Sequence, residues 1–95
     1  MSYYYQHKLG FSFHGLQRIR ERIPLFKNEN DWIIKDKIIK MIDNSSDRIE
    51  TRSNLYIKLD DLEGNLYVVV EKQQRLIVTV TQISPKKLLD VITQN

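Results

Sequence analysis

A change of hydrophobic period at Arg48 constrains this chain more than any other feature. Before it, apolar residues recur three and four apart, the spacing of a helix face. After it, they alternate with polar residues in four short runs, at 48–52, 55–60, 66–72 and 75–83. Turn-forming residues separate these runs: Ser53-Asn54, Glu63-Gly64-Asn65 and Gln73-Gln74. Connections this short allow only antiparallel hairpins, because parallel neighbours need a crossover of a dozen or more residues. A four-stranded antiparallel sheet is therefore expected.

The helical part divides in two. Ser12 is a natural N-cap, since its hydroxyl accepts a backbone N–H that the first turn leaves free. Phe13, Leu16, Ile19 and Ile23 then fall on one stripe. Pro24 stops the helix, because the residue before a proline is pushed out of the α region. Residues 26–29 read as a long loop. Asn30 or Asp31 caps a second helix ending near Asp43, with Ile34, Ile38, Met41 and Ile42 on its buried face and Trp32, Ile33 and Ile39 pointing elsewhere. Ser84 and Pro85 open a last helix, with Leu88, Leu89, Val91 and Ile92 on its apolar side.

The predicted class is α+β: two N-terminal helices packed on a four-stranded antiparallel sheet, with a short C-terminal helix, in the order α-α-β-β-β-β-α. The 95 residues form one domain, with an N-terminal segment at 1–10, a core at 11–83 and the last helix at 84–95. Alternation places Ile49, Leu55, Ile57, Leu59, Leu66, Val68, Val70, Leu76, Val78 and Val80 on the face under the helices. Arg48, Glu50, Arg52, Tyr56, Lys58, Tyr67, Glu71, Arg75, Thr79 and Thr81 fall on the other. Val69 and Ile77 also land on that second, polar face, against their chemistry.

Composition removes several classes of function. Without cysteine there is no disulfide and no thiolate ligand, and only His7 and His14 offer imidazole. No metal and no cofactor is expected. No run of about 18 apolar residues exists to span a membrane, and residues 1–8 lack the apolar stretch of a secretory signal. A cytoplasmic protein is expected. The net charge of +3 permits an anionic partner without demanding one.

Two clusters carry candidate chemistry. His14, Arg18 and Arg22 stand four apart, so they line one ridge of the first helix. A histidine passes protons near neutrality, and arginines hold a phosphate and its charged transition state. A solvated basic ridge gives the same pattern. The polar sheet face adds Arg52, Tyr56, Lys58, Tyr67, Arg75, Thr79 and Thr81, a surface suited to holding phosphates and stacking bases. Cross-strand ion pairs on an ordinary solvent face give that pattern too. Asp60, Asp61 and Glu63 read as a solvated turn. The sequence contains no Gly-rich phosphate loop and no Gly-x-Ser-x-Gly nucleophile motif.

The segment from His14 to Ile23 resembles the first helix of a group of small bacterial and phage domains, which reads His-small-x-x-Arg-apolar-x-x-Arg-x-Ile. A second helix follows in that group, then a sheet whose last strand is rich in valine and threonine, as in Val78-Thr79-Val80-Thr81 here. These domains belong to the barnase, EndoU, colicin and RelE-like superfamily of metal-independent ribonucleases. The resemblance spans roughly residues 11–83, with Gly15 where alanine is commoner. It implies a nuclease cleft where helix and sheet meet, with His14, Arg18, Arg52 and Thr79 as catalytic candidates. Arg22, Tyr56, Lys58, Tyr67, Arg75 and Thr81 become candidates for binding RNA.

Three functions compete at this point. One is a toxin-type endoribonuclease cleaving RNA through 2′-hydroxyl attack. Another is a catalytically inactive, phage-encoded module that binds a host or antitoxin protein through exposed aromatics such as Tyr3, Tyr4, Tyr5 and Trp32. The third is a plain nucleic-acid-binding domain, recognisable by affinity that falls steeply with salt. Monomer and homodimer both remain open.

Overall fold

The computed structural model describes residues 9–84 and Lys87. Its order is strand β1 (Gly10–Phe11), helix α1 (Phe13–Arg22), a 3-10 turn (Pro24–Phe26), helix α2 (Asp31–Asn44), then strands β2 (Arg48–Glu50), β3 (Asn54–Lys58), β4 (Leu66–Glu71) and β5 (Leu76–Gln82). The strands form one five-stranded sheet ordered β1-β5-β4-β3-β2. Strands β2 to β5 are antiparallel neighbours, while β1 pairs parallel with β5.

This corrects the expected four-stranded antiparallel sheet and the expected order. The class is α+β, but the sheet is mixed and a strand precedes the two helices. Gly10 and Phe11 are too few to show a period, and their partners Leu76 and Ile77 lie on the last strand. The whole chain between them serves as the crossover that a parallel pair requires.

Ser12 joins β1 to α1. Its backbone N–H donates to the Ile77 carbonyl at 3.0 Å, and its hydroxyl donates to the same oxygen at 3.2 Å. As the N-cap of α1, that hydroxyl also accepts the Gly15 N–H at 2.9 Å. One side chain thus caps the helix and fixes it to β5. Gly15 makes the fit possible: a Cβ on it would lie 2.1 Å from the Ile77 carbonyl oxygen. The residue that departs from the commoner alanine of the resembling motif is therefore required by this contact.

Beyond Pro24 the chain is not a free loop. Proline starts a 3-10 turn that swings Phe26 into the core, where it is fully buried. From α2, Ile34, Ile38 and Ile42 join it, each one helical turn from the next. Asn30 sits at the N-cap of α2 without a side-chain cap bond, and Arg48 donates to the Ile42 carbonyl at 3.0 Å near the other end. A cation there also complements the negative end of the helix dipole. Phe13, expected in the apolar stripe, is exposed instead.

The sheet faces differ from simple alternation for two reasons. Val69 lies opposite Thr79 and Val70 opposite Ile77, which leaves Val78 as the extra residue of a bulge. The bulge shifts parity within β5, so Ile77 and Val80 are core residues while Leu76 and Val78 are not. On the edge strand, Ile49 pairs with Tyr56, whereas Arg48 and Glu50 pair with the core residues Ile57 and Leu55. Ile49 therefore points to the far face, and Arg48 and Glu50 to the helix side, the reverse of the expectation. Arg52 and Arg75 belong to hairpin turns, and Arg75 adopts a left-handed φ of 57°. In that turn Glu71 accepts the N–H groups of Gln73 and Gln74.

The Ser84 hydroxyl accepts the Lys87 N–H at 3.2 Å, the bond expected of a helix cap. The remainder of the expected C-terminal helix lies outside the described residues. So does the segment 1–8, with Tyr3, Tyr4, Tyr5 and His7. Among the described residues no helix is long and apolar enough to cross a membrane.

Replacing Gly15 by alanine separates two opposing effects. Helix propensity favours alanine by about 1 kcal/mol, while overpacking costs typically about 1–3 kcal/mol or more. The partner here is a strand carbonyl that cannot rotate away, so steric cost wins. Gly15→Ala is expected to lower the urea midpoint by the equivalent of roughly 2 kcal/mol. A neutral or stabilising result would mean that α1 does not rest on β5.

Candidate functional site

Three directions around α1 locate its ridge. Gly15 and Ile19 face β5, the first against the Ile77 carbonyl and the second fully buried. Arg20 faces α2: it donates to the Glu29 carbonyl at 2.9 and 3.3 Å and pairs with Asp31. At 100° per residue, His14, Arg18 and Arg22 then lie on the flank turned away from α2. Since α2 covers the helix side of the sheet, this flank borders the far side. Register places Thr79 and Thr81 there, opposite Val69 and Tyr67.

One contact ties the two together. Arg22 Nη1 donates to the Val80 carbonyl at 2.5 Å, and the Thr79 hydroxyl approaches the same oxygen at 3.4 Å. Helix ridge and last strand therefore meet along the open edge of β5. His14 is exposed on the first turn, its ring 6.2 Å from that of Phe13 in an edge-on arrangement. Arg18 bridges Glu21 at 2.9 Å, with both side chains 46% exposed. A surface pair of this kind is worth about 0–1 kcal/mol, so a phosphate can displace it.

The other expected residues are more scattered. Tyr56 and Lys58 share the far face on β3 and are half-buried, and Lys58 Nζ stands 4.0 Å from Asp47. Tyr67 lies between Lys58 and Thr81 in register, yet it is only 5% exposed, and neighbouring Val69 only 6%. That burial leaves Tyr67 little ring surface for stacking a base. Arg52 sits in the β2–β3 turn, and strands spaced ~4.8 Å apart put β3 and β2 roughly 10 and 14 Å from β5. It does not share the ridge. Arg75 is exposed in the β4–β5 turn, and its carbonyl accepts the Gly10 N–H at 2.9 Å.

Among the described residues no group of three His, Asp or Glu side chains is placed to hold a metal ion. Asp60 accepts bonds from the Ser46 N–H and hydroxyl, which ties the β3–β4 turn to the loop after α2.

Arg20, Gln17 and Phe13 did not stand out in the sequence as site residues. With Leu16, Glu21 and Asp31 they line a cleft of about 400 Å³ between α1 and the start of α2. A helical wheel carries a partial signal for Phe13, which stands about 120° from Ile19 and so off the buried stripe. Compared with family models, curated proteins and solved structures, the chain matches none.

Stability distinguishes the roles of the ridge residues. His14→Ala removes an exposed ring and is expected to change stability by less than about 0.5 kcal/mol. Arg22→Ala removes the shorter of two side-chain hydrogen bonds to the Val80 carbonyl and is expected to cost about 1 kcal/mol. Denaturant titration of both variants checks this. Equal costs would show that the Arg22 bond does not help hold α1.

Proposed function

We propose that the protein is a metal-independent endoribonuclease that cleaves RNA by attack of the 2′-hydroxyl on the adjacent phosphate. The observation that carries this reading is the meeting of Arg22 and Thr79 at the Val80 carbonyl. It sets the cationic ridge beside the hydroxyl-bearing side of β5. In the proposed step the O2′–P bond forms as the P–O5′ bond breaks, leaving a 2′,3′-cyclic phosphate. One proton passes from the 2′-hydroxyl to the departing 5′-oxygen, and His14 serves one end of that transfer as acid or base.

Arg18 and Arg22 would neutralise the charge that builds on the phosphorane. Arg22 keeps donors for this role, because a guanidinium carries five N–H groups and the Val80 bond uses one. Thr79 and Thr81 supply neutral hydrogen bonds to the backbone of the RNA. Lys58, Tyr56 and Arg75 extend the track, while Arg52 stands apart from it.

A second reading is a binding module without catalysis, acting on a partner protein. Phe13, Leu25 and Trp32 favour it, since all three are more than half exposed and aromatics are enriched at interfaces.

Incubation with a labelled oligoribonucleotide in excess EDTA tests the choice. Cleavage to cyclic phosphate ends is expected from the wild type, with His14→Ala slowed at least about 100-fold, the scale of a lost general acid or base. An intact substrate with the wild type would refute the enzyme and leave the binding module.

A further inference from the structure

The cleft between α1 and the start of α2 lies outside the ridge just described. Its apolar walls are Phe13 and Leu16, and its polar residues are Gln17, Arg20, Glu21 and Asp31. Phe13 is 83% exposed on the first turn of α1, whereas Ile19 is fully buried and Leu16 is partly buried against the core, so packing does not account for Phe13. Its ring is also the one beside His14, at 6.2 Å and 80° between planes. The cleft's volume of about 400 Å³ falls within the usual range for small-ligand sites, ~300–1,000 Å³.

Of its two carboxylates, Asp31 is paired with Arg20, which takes no part in the ridge. Glu21 accepts the Gln17 amide and shares an exposed pair with Arg18. A charge-compensated carboxylate such as Asp31 keeps acceptor positions free for N–H groups without repelling an anionic chain. An aromatic face with hydrogen-bonding groups around it is what a splayed-out nucleobase requires. A folded partner helix would need a longer apolar groove than two side chains provide.

We infer that this cleft is a nucleobase subsite: a base of single-stranded RNA stacks on Phe13 while its own phosphate meets His14. The inference rests on the ribonuclease reading in taking RNA as the ligand, but it concerns binding and not cleavage. It also restricts the substrate to unpaired RNA, because a base within a duplex cannot reach the ring.

The test uses the full chain and a fluorescein-labelled, fully 2′-O-methylated single-stranded octanucleotide, which has no attacking hydroxyl. Fluorescence anisotropy in EDTA is expected to show Phe13→Ala binding roughly tenfold or more weakly than wild type, the scale of one lost base stack. Phe13→Trp should retain the affinity. In a Trp32→Phe background its indole emission should be quenched as the oligonucleotide is added. Phe13 is exposed, so unchanged denaturation midpoints are expected for both variants.

Equal affinity of wild type and Phe13→Ala, or no binding by wild type at all, would overturn the subsite. Equal affinity would also redirect Phe13 to a protein contact. The two readings fail separately: a wild type that binds through Phe13 but leaves unmodified RNA intact keeps the subsite and loses the nuclease.

Discussion

The contact between Gly15 and the Ile77 carbonyl sets the distance at which helix and sheet meet. An added Cβ would be 2.1 Å from that oxygen, so only glycine lets α1 come this close to β5. Ser12 holds the approach from both sides, bonding to Ile77 and capping the helix that begins beside it. Everything that places the candidate site depends on this junction. It turns Ile19 inward, Arg20 toward α2 and the His14 flank toward the far side of the sheet. A helix held a few ångströms further out would not bring Arg22 to the Val80 carbonyl.

The three arginines of α1 divide the work among themselves. Arg20 fastens α1 to the start of α2 through Glu29 and Asp31. Arg22 closes the open edge of β5, where an unpaired carbonyl would invite another strand. Among the described residues, Arg18 pairs with an exposed Glu21 on its own helix. A count of positive charge along this helix therefore overstates what a ligand meets. Structural bonds restrain two of the three, which leaves Arg18, His14 and the Arg22 donors not bonded to Val80 as the candidate chemistry of the ridge.

The bulge at Val78 has an equally specific effect. It lets one strand carry Ile77 and Val80 into the core while Thr79 and Thr81 stay on the far face. Without the extra residue, a core containing Ile77 would also take in Thr79 and Thr81. A hydroxyl-bearing edge beside the helix ridge exists because alternation is interrupted once.

The sequence by itself determined what local rules control. The Ser12 cap, the stop at Pro24, the Ile34, Ile38 and Ile42 face and the three hairpins of β2 to β5 depend on neighbours a few residues away. The i, i+4 ridge of His14, Arg18 and Arg22 was legible for the same reason. Tertiary structure alone decided the rest. Strand β1 exists only because Leu76 and Ile77 are there to pair with it, and two residues have no period to read. Phe26 is core because a 3-10 turn after Pro24 aims it inward. Ile49, Arg48 and Glu50 changed faces, and Ile77 exchanged places with Val78, because register and a bulge are set between strands and not within one. Whether Arg52 could reach the ridge was likewise a matter of strand order, which no spacing in the sequence encodes.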